Sequence, residues 1–464
     1  MLGLVFYIIL VSLDTDEGIA RTLGLAVWMV SWWILEAVPM AVTALLPLVC
    51  LPLFNISPIS ESAVAYANPV IFLFMGGFML ALALQKHRLH ERIALNILKI
   101  TGTSGNGIIL GFILATALLS MWVSNTATAV MMLPIAVSVI GLLLEDHEIT
   151  KSERRFALGL MLSIAYSANI GGFMTIIGTP PNVVMAGYLQ ELVDFDMSFA
   201  RWLTIGIPGG IVMLGFTYVL VTKVLFPNNL KAIPGSSGVI TERLEALGSL
   251  SRPEKLILII FGFTVTGWMF KSQINALLGA NLLTDHITAM AGGLAMFIVP
   301  YKTEPVQPLL DWEDTRDLPW GILLLFGGGI SLGTAMEKVG IIDAIGTFVA
   351  GYGSINNFIL ILLVSAIVLF MTELMSNVAL VTIILPVLIA VARGMGEDPL
   401  ILVIPATIAS SCAFMMPIST PPNAIVYSSG HIRIQEMMRA GILLNLVAVL
   451  VLTAMTYFLV PILF

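Results

Sequence analysis

Four short polar motifs interrupt otherwise apolar sequence, and they form two matched pairs. Ser-Asn-Thr at 124–126 precedes Gly-Thr-Pro-Pro-Asn at 178–182. In the second half of the chain, Ser-Asn-Val at 376–378 precedes Ser-Thr-Pro-Pro-Asn at 419–423. A backbone that is interrupted in apolar surroundings needs other hydrogen-bond partners, which protein or a water-filled cavity must supply. The pairing therefore predicts one polar site between two halves of the chain.

The two Ser-Asn motifs offer ligands for ions of both signs. Their side-chain oxygens, together with the unpaired carbonyls of a preceding half-helix, suit a small hard cation. A helix that begins just after each motif would expose free N–H groups and the positive end of its dipole, which favours an anion. The alternative is a buried polar turn that serves only helix packing. Two copies at a matched spacing favour a binding site.

The two Pro-Pro-Asn motifs are predicted to unwind the helices that contain them. Proline lacks an N–H donor and clashes with the preceding helical turn. Gly178 and Ser419 leave room for backbone carbonyls to turn inward, and Thr179 and Thr420 present hydroxyl groups. An ordinary proline kink is the alternative interpretation, and the repetition argues against it.

The elements that must position these motifs are membrane-spanning helices. The chain has 464 residues, of which 58% are hydrophobic and only 11% are charged, whereas about a quarter of a soluble domain is charged. Apolar runs long enough to cross a bilayer recur from end to end, which predicts an all-α polytopic membrane protein. We place eleven transmembrane helices, near 1–13, 20–36, 37–54, 68–84, 155–188, 203–225, 255–270, 284–300, 318–336, 399–427 and 440–463.

Two further apolar segments, 107–144 and 355–392, are too long for one span and carry a Ser-Asn motif near the middle. Each is predicted to be a re-entrant hairpin that enters and leaves the membrane on one side. With this topology, sixteen of the twenty-one Lys and Arg residues lie in loops on the cytoplasmic side. This distribution agrees with the positive-inside rule. The loops concerned are 85–100, 145–155, 223–255, 301–317 and 428–440.

The duplication extends beyond the motifs, because Leu133-Pro134 recurs as Leu385-Pro386 at the same offset as Ser124 and Ser376. In the predicted topology the two repeats cross the membrane in opposite directions, which makes an inverted repeat with discontinuous helices. The sequence thus predicts four regions. Residues 1–67 are N-terminal scaffold spans, and residues 233–317 are a cytoplasmic linker with central scaffold spans. The first repeat, 68–232, contains the hairpin 107–144 and the unwound span 155–188. The second repeat, 318–464, contains the hairpin 355–392 and the unwound span 399–427.

At these motifs the chain resembles the divalent anion sodium symporter (DASS) family, which includes bacterial sodium/dicarboxylate cotransporters. Segments 120–128 and 419–425 carry the resemblance, which covers essentially the whole chain. It implies sodium-coupled uptake of C4 dicarboxylates such as succinate, malate and fumarate across the inner (cytoplasmic) membrane. It also implies a homodimer with an elevator motion. Because no Lys or Arg lies deep in the spans that build the site, we predict two or more Na⁺ per substrate to compensate its charge.

The resemblance also assigns residues to the site. Sodium ligands are implied at Ser120, Ser124, Asn125 and Gly178 in the first half, and at Thr372, Ser376, Asn377 and Ser419 in the second. Substrate carboxylates are implied to contact Asn125, Thr126, Thr179, Asn377, Thr420 and Pro421. Val378 departs from the family pattern, because the first half has Thr126 at the matching place. The second motif therefore lacks the hydroxyl group that Thr126 gives the first, which bears on substrate identity.

Several alternatives stay open at this point. The Val378 departure allows a sodium-independent dicarboxylate exchanger, or a transporter of another anion such as sulfate or citrate. A channel with the hairpins as a static filter is a further class. An enzyme is not expected, because Glu373 alone supplies no cluster of base, nucleophile or metal. Glu373 is either a proton or cation site, or a carboxylate satisfied by hairpin backbone groups. Expected partners are the dicarboxylate, sodium ions, the lipid bilayer and a second copy of the chain, and no nucleic acid.

Overall fold

The fold is built almost entirely from helices. The computed structural model describes residues 2–143, 150–351 and 356–464. In this part of the chain, the strands form a single antiparallel pair, β1 (Pro300–Thr303) with β2 (Val306–Pro308). Seven of the described helices are long and apolar enough to span a membrane, or eight if a bent pair is counted as one. The prediction of a helical polytopic membrane protein is confirmed, with a small β-hairpin inside the predicted loop 301–317.

The N-terminal region begins with two packed helices and then breaks into short ones. The predicted span 37–54 is two helices rather than one, because Pro39 precedes the first helix and Pro47 lies in the first turn of the second. Proline is suited to these positions since it has no N–H to donate. The helices are α1 (Leu2–Ser12), α2 (Glu17–Leu35), α3 (Met40–Thr43), α4 (Leu46–Leu53) and α5 (Ile59–Val64), followed by a 3₁₀ turn (Ala65–Ala67).

The first-repeat region contains seven helices, and both predicted interruptions are present in it. Residues 121–124 separate α8 from α9, and residues 175–179 separate α10 from α11. The last residue of the predicted segment 107–144 lies outside the described residues. The helices are α6 (Pro69–Lys86), α7 (Leu89–Ile100), α8 (Gly105–Ser120), α9 (Asn125–Gly141), α10 (Lys151–Met174), α11 (Pro180–Val193) and α12 (Phe199–Val219), which continues into a π-helical turn (Leu220–Leu225).

Four helices connect this region to the second repeat. The span predicted at 255–270 is followed by a short helix that turns away from it by 80°. The four are α13 (Ser236–Ala246), α14 (Arg252–Met269), α15 (Lys271–Leu278) and α16 (Asp285–Ile298), and a 3₁₀ turn (Trp312–Asp317) follows the strand pair.

The second-repeat region follows the same order of elements as the first. A long helix and a short one precede two helices separated at 373–376, then two separated at 412–420, and a final long helix. The first residue of the predicted segment 355–392 lies outside the described residues. The helices are α17 (Trp320–Lys338), α18 (Ile341–Ala350), α19 (Asn357–Thr372), α20 (Asn377–Gly394), α21 (Leu400–Ser411), α22 (Pro421–Ser428) and α23 (Ile434–Leu463).

Helix α10 lies at the centre of the packing. All of its residues from 156 to 174 are buried, and it contacts α8, α9, α12 and α22. Gly171 allows the closest approach, because a Cβ atom there would lie 2.3 Å from the carbonyl oxygen of Ala117 in α8. On α17, a Cβ at Gly328 would lie 2.2 Å from the Ala44 carbonyl oxygen. Small residues thus let these helices pack backbone to backbone, as is common in membranes.

Candidate functional site

All four polar motifs line one cavity of about 910 Å³. Helix breaks that are far apart in sequence therefore meet in one place, as the pairing of the motifs predicted. Eleven residues singled out from the sequence lie in its wall: Ser124, Asn125, Thr126, Gly178, Thr179, Ser376, Asn377, Val378, Ser419, Thr420 and Pro421. The two remaining predicted ligands, Ser120 and Thr372, are fully buried and lie outside the lining.

Ser120 and Thr372 lie directly behind the two tip asparagines, in matching geometry. Ser120 Oγ is 2.6 Å from Asn125 Oδ1 and 2.7 Å from the Ala168 carbonyl oxygen. Thr372 Oγ1 is 2.6 Å from Asn377 Oδ1 and 2.8 Å from the Ser410 carbonyl oxygen.

A hydroxyl group has one proton, so it can donate to only one of these two acceptors. Each oxygen trio, made of the hydroxyl oxygen, the asparagine Oδ1 and the carbonyl oxygen, therefore has more lone pairs than protons. Neutral oxygen ligands in this arrangement suit a small hard cation. Among the described residues, no group of three or more His, Cys, Asp and Glu residues could hold a metal ion.

The same hydrogen bonds define what the tip asparagines present to the cavity. Because Oδ1 of Asn125 and of Asn377 is in contact with a hydroxyl group, Nδ2 is left as the free donor. Neither Nδ2 atom donates to a described residue. Gly172 makes room for the first tip, since a Cβ atom there would lie 2.5 Å from Asn125 Oδ1.

Four helices begin at the cavity wall. Asn125 and Asn377 are the first residues of α9 and α20, and Pro180 and Pro421 are the first residues of α11 and α22. At the starts of α9 and α20 the first N–H groups have no partner within the helix. Helices α11 and α22 begin with two prolines, which have no N–H, and in all four helices the dipole places positive charge at this end. Four such ends around one cavity create a region suited to an anion.

The asparagine of each Pro-Pro-Asn motif holds the unwound segment that precedes it. Asn182 Nδ2 donates to the carbonyl oxygens of Phe173 (3.3 Å) and Thr175 (2.7 Å). Asn423 Nδ2 donates to the carbonyl oxygens of Ala413 (3.1 Å) and Met416 (3.0 Å). The repeated Asn was visible in the sequence, but its role depends on how the chain folds back on itself.

Glu373 is buried beside the second tip and makes four hydrogen bonds. Its carboxylate accepts the backbone N–H groups of residues 414–416 at 2.8–3.1 Å and Asn445 Nδ2 at 2.8 Å. The carboxylate is thus satisfied mainly by backbone groups. The sequence analysis had considered backbone groups of the hairpin α19–α20, but the observed groups belong to the unwound segment after α21. The matching position in the first half is Met121, whose carbonyl oxygen accepts the Thr175 hydroxyl. The two halves therefore anchor their unwound segments differently.

The charge of the lining favours cations as companions of an anion. Among the described residues, the cavity wall includes no Lys or Arg. It does include two carboxylates, Glu36 and Asp317, at the end that also contains Gln85. A divalent anion at the tips would therefore be stabilised by dipoles, amide groups and hydroxyl groups, and its remaining charge requires bound cations.

One lining residue was missed by the sequence reasoning. Asn169 is 1% exposed, lies in the C-terminal part of α10 and contacts the second unwound segment. Its only sequence signal is an amide within a long apolar helix, which does not distinguish it from a packing residue.

Long apolar helices around a central polar cavity, with interrupted helices meeting at the cavity wall, define the class of secondary membrane transporters. Within this class the chain belongs to the family described as "Sodium:sulfate symporter transmembrane region", whose sequence model matches residues 2–464. The family predicted from the motifs is thereby confirmed.

Two relatives agree with this class. The chain is 38% identical over 461 residues to the sodium-dependent dicarboxylate transporter SdcS of Staphylococcus saprophyticus, covering 96% of the chain and 87% of the relative. It is 37% identical over 448 residues to SdcS of Staphylococcus aureus (strain USA300), covering 95% and 86%. The prediction of a multi-pass membrane transporter rather than an enzyme is confirmed, and the predicted inner-membrane location agrees with these bacterial relatives.

Two solved structures share the fold at low sequence identity. Neisseria gonorrhoeae MtrF, described as illuminating a class of antimetabolite efflux pumps, matches with a TM-score of 0.59 at 10% identity over 86% of this chain and 83% of that one. The Alcanivorax borkumensis YdaH transporter matches with a TM-score of 0.56 at 13% identity, covering 87% of each chain. These similarities concern the fold alone.

Proposed function

We propose that the protein is a sodium-coupled symporter that imports C4 dicarboxylates such as succinate, malate and fumarate through the inner membrane. The observation that carries the proposal is a cavity that combines four helix N-termini with oxygen trios and has no Lys or Arg among its described lining residues. The names of the sodium-dependent dicarboxylate transporters SdcS support the same substrate class and coupling ion.

Two or more sodium ions would bind behind the tips. The first site would use Ser120, Ser124, Asn125 and Gly178, and the second Thr372, Ser376, Asn377 and Ser419. The matching oxygen trios at Ser120 and Thr372 support this assignment. Gly178 is closely packed against the backbone, because a Cβ atom there would lie 2.4 Å from the Gly172 carbonyl oxygen.

The dicarboxylate would bind between the two halves. Its carboxylates would accept hydrogen bonds from Asn125, Thr126, Thr179, Asn377 and Thr420. They would also contact the backbone at Pro421, the start of α22, which has no N–H to donate. The free Nδ2 atoms of the two tip asparagines support this assignment, because they are available to donate to a carboxylate. Val378 lines the cavity without a hydroxyl group, so the second carboxylate would depend more on Asn377 and Thr420.

Transport would follow an elevator-type alternating-access mechanism in a homodimer. The pairs α8–α9 and α19–α20 would be re-entrant hairpins, and the regions 68–232 and 318–464 an inverted repeat beside scaffold spans in 1–67 and 233–317. Helix α8 has 16 residues and α9 has 17. Such helices are about 25 Å long, less than the ~30 Å hydrocarbon core, which supports a hairpin. The cavity reaches Gln85 and Asp317, on the side that the basic loops make cytoplasmic, so this conformation would be inward-facing.

The purified protein in proteoliposomes is expected to show saturable uptake of labelled succinate that is at least about tenfold faster in an inward Na⁺ gradient than with choline. A proton gradient alone should not replace Na⁺. Malate and fumarate should compete with succinate, whereas sulfate and citrate should compete weakly. Unchanged uptake when choline replaces Na⁺ would contradict the proposal.

Sodium-independent exchange is the second candidate, and the missing hydroxyl at Val378 is the observation that favours it. An exchanger would show succinate counterflow at full rate without Na⁺, whereas a symporter would require Na⁺ on both sides. Preference for sulfate or citrate over succinate would instead indicate another anion. Non-saturable flux far above transporter turnover would indicate a channel.

A further inference from the structure

Asn169 connects the central helix of the first half to the unwound segment of the second half. Its Nδ2 donates to the Ala413 carbonyl oxygen at 3.0 Å and to Thr420 Oγ1 at 3.2 Å. An amide nitrogen has two hydrogens, so both are used in these contacts. Asn169 Oδ1 is buried and has no hydrogen-bond partner among the described residues.

The contact with Asn169 determines the orientation of the Thr420 hydroxyl. Because the hydroxyl oxygen accepts a hydrogen bond from Asn169, its own proton must point elsewhere. Thr420 precedes α22 and makes no side-chain capping bond to that helix. It lines the cavity, so its proton is available to an acceptor there, beside the positive end of the α22 dipole.

This cross-connection exists in one direction only. Since Ser120 contacts the Ala168 carbonyl and Thr372 contacts the Ser410 carbonyl, the residue after Ser410, Ser411, is the counterpart of Asn169. Ser411 Oγ is buried without a hydrogen-bond partner among the described residues. Thr179, the counterpart of Thr420, makes no side-chain capping bond and receives no amide hydrogen bond from a described residue.

The same turn of α10 also contacts the first tip. The Ala168 carbonyl oxygen accepts from Ser120, while the next side chain, Asn169, holds Thr420. One buried helical turn therefore fixes a hydroxyl of the proposed first sodium site and a hydroxyl of the proposed substrate site. This placement matters more in this chain because Val378 lacks the hydroxyl group that Thr126 supplies at the first tip.

We propose that Asn169 is a positioning residue that holds the Thr420 hydroxyl as a hydrogen-bond donor to one carboxylate of the dicarboxylate. This inference rests on the proposed function. Asn169 acts through Thr420 and does not itself need to contact the substrate. Preorganised donors lose less freedom when a ligand binds, so removing Asn169 weakens binding without preventing it.

A double-mutant cycle tests the inference in proteoliposomes, with KM for succinate, maximal rate and thermal stability measured for each variant. Asn169→Ala is expected to raise KM about tenfold with the maximal rate within about twofold, and Thr420→Val to raise KM at least as much. In Thr420→Val, the further change Asn169→Ala should leave KM within about twofold. Asn169→Leu, which keeps nearly the same shape but loses the donor, should behave like Asn169→Ala, and Ser411→Ala should match the wild type.

Three outcomes would overturn the inference. Increases in KM that multiply in the double variant would show that Asn169 does not act through Thr420. A wild-type KM in Asn169→Leu, or a loss of thermal stability with unchanged KM in Asn169→Ala, would show a purely structural role. Failure of the proposed function would appear in the wild-type protein as sodium-independent uptake, whereas failure of this inference would appear only in the variants.

Discussion

Asn125→Ala and Asn377→Ala are each expected to lower saturable, sodium-dependent succinate uptake at least about 100-fold in a protein that still folds. Each asparagine has two tasks in the proposed site. Oδ1 belongs to an oxygen trio, and the free Nδ2 donates to a carboxylate. A hydrogen bond to a charged group contributes about 1.5–3 kcal/mol, and the loss of one cation ligand together with one such bond accounts for the expected factor.

Uptake by the two variants should be compared with that of Asn96→Ala. Asn96 is exposed on α7, and its amide contacts only the Arg92 carbonyl among described residues, so this control should match the wild type. Thermal stability in detergent separates loss of binding from loss of folding. Wild-type KM and maximal rate in both tip variants would disprove the site assignment.

Glu373→Ala is expected to abolish uptake and also to lower thermal stability. The substitution leaves three backbone N–H groups and Asn445 without their shared acceptor in a buried place. Each unpaired buried donor costs about 1–3 kcal/mol, so the segment that shapes the second half of the site should lose its conformation. Glu373→Gln retains one acceptor oxygen but places an NH₂ group against N–H groups, and an intermediate loss of stability is expected.

The control for this prediction is Glu245→Gln, on the exposed side of α13, which should leave both uptake and stability unchanged. A Glu373→Gln variant with wild-type stability but altered coupling to Na⁺ or protons would contradict the anchoring role. That result would favour the proton or cation site that the sequence left open.

The helix interruptions were predictable because they depend on local chemistry. Proline at 180–181 and 421–422 fixes where α11 and α22 begin, and Ser-Asn at 124–125 and 376–377 precedes α9 and α20. The repeated order of motifs was enough to predict that they share one site. The four motifs do line one cavity, as this prediction required.

The features that escaped prediction depend on contacts between distant parts of the chain. Asn169 meets Thr420 across 251 residues, and no local pattern marks that contact. The backbone partners of Glu373 lie 41–43 residues away on another element, whereas the sequence suggested backbone groups of its own hairpin. The span predicted at 37–54 is two helices because Pro39 and Pro47 fit helix starts better than a helix interior.

The most direct test of the central claim is sodium uptake driven by the anion. Proteoliposomes with equal Na⁺ on both sides would receive an inward succinate gradient, and entry of radioactive sodium would be measured together with entry of labelled succinate. A site in which sodium ions compensate a dicarboxylate predicts that succinate accelerates sodium entry, with more than one Na⁺ per succinate and no acceleration in Asn125→Ala. Sodium entry that is the same with and without succinate would contradict the account.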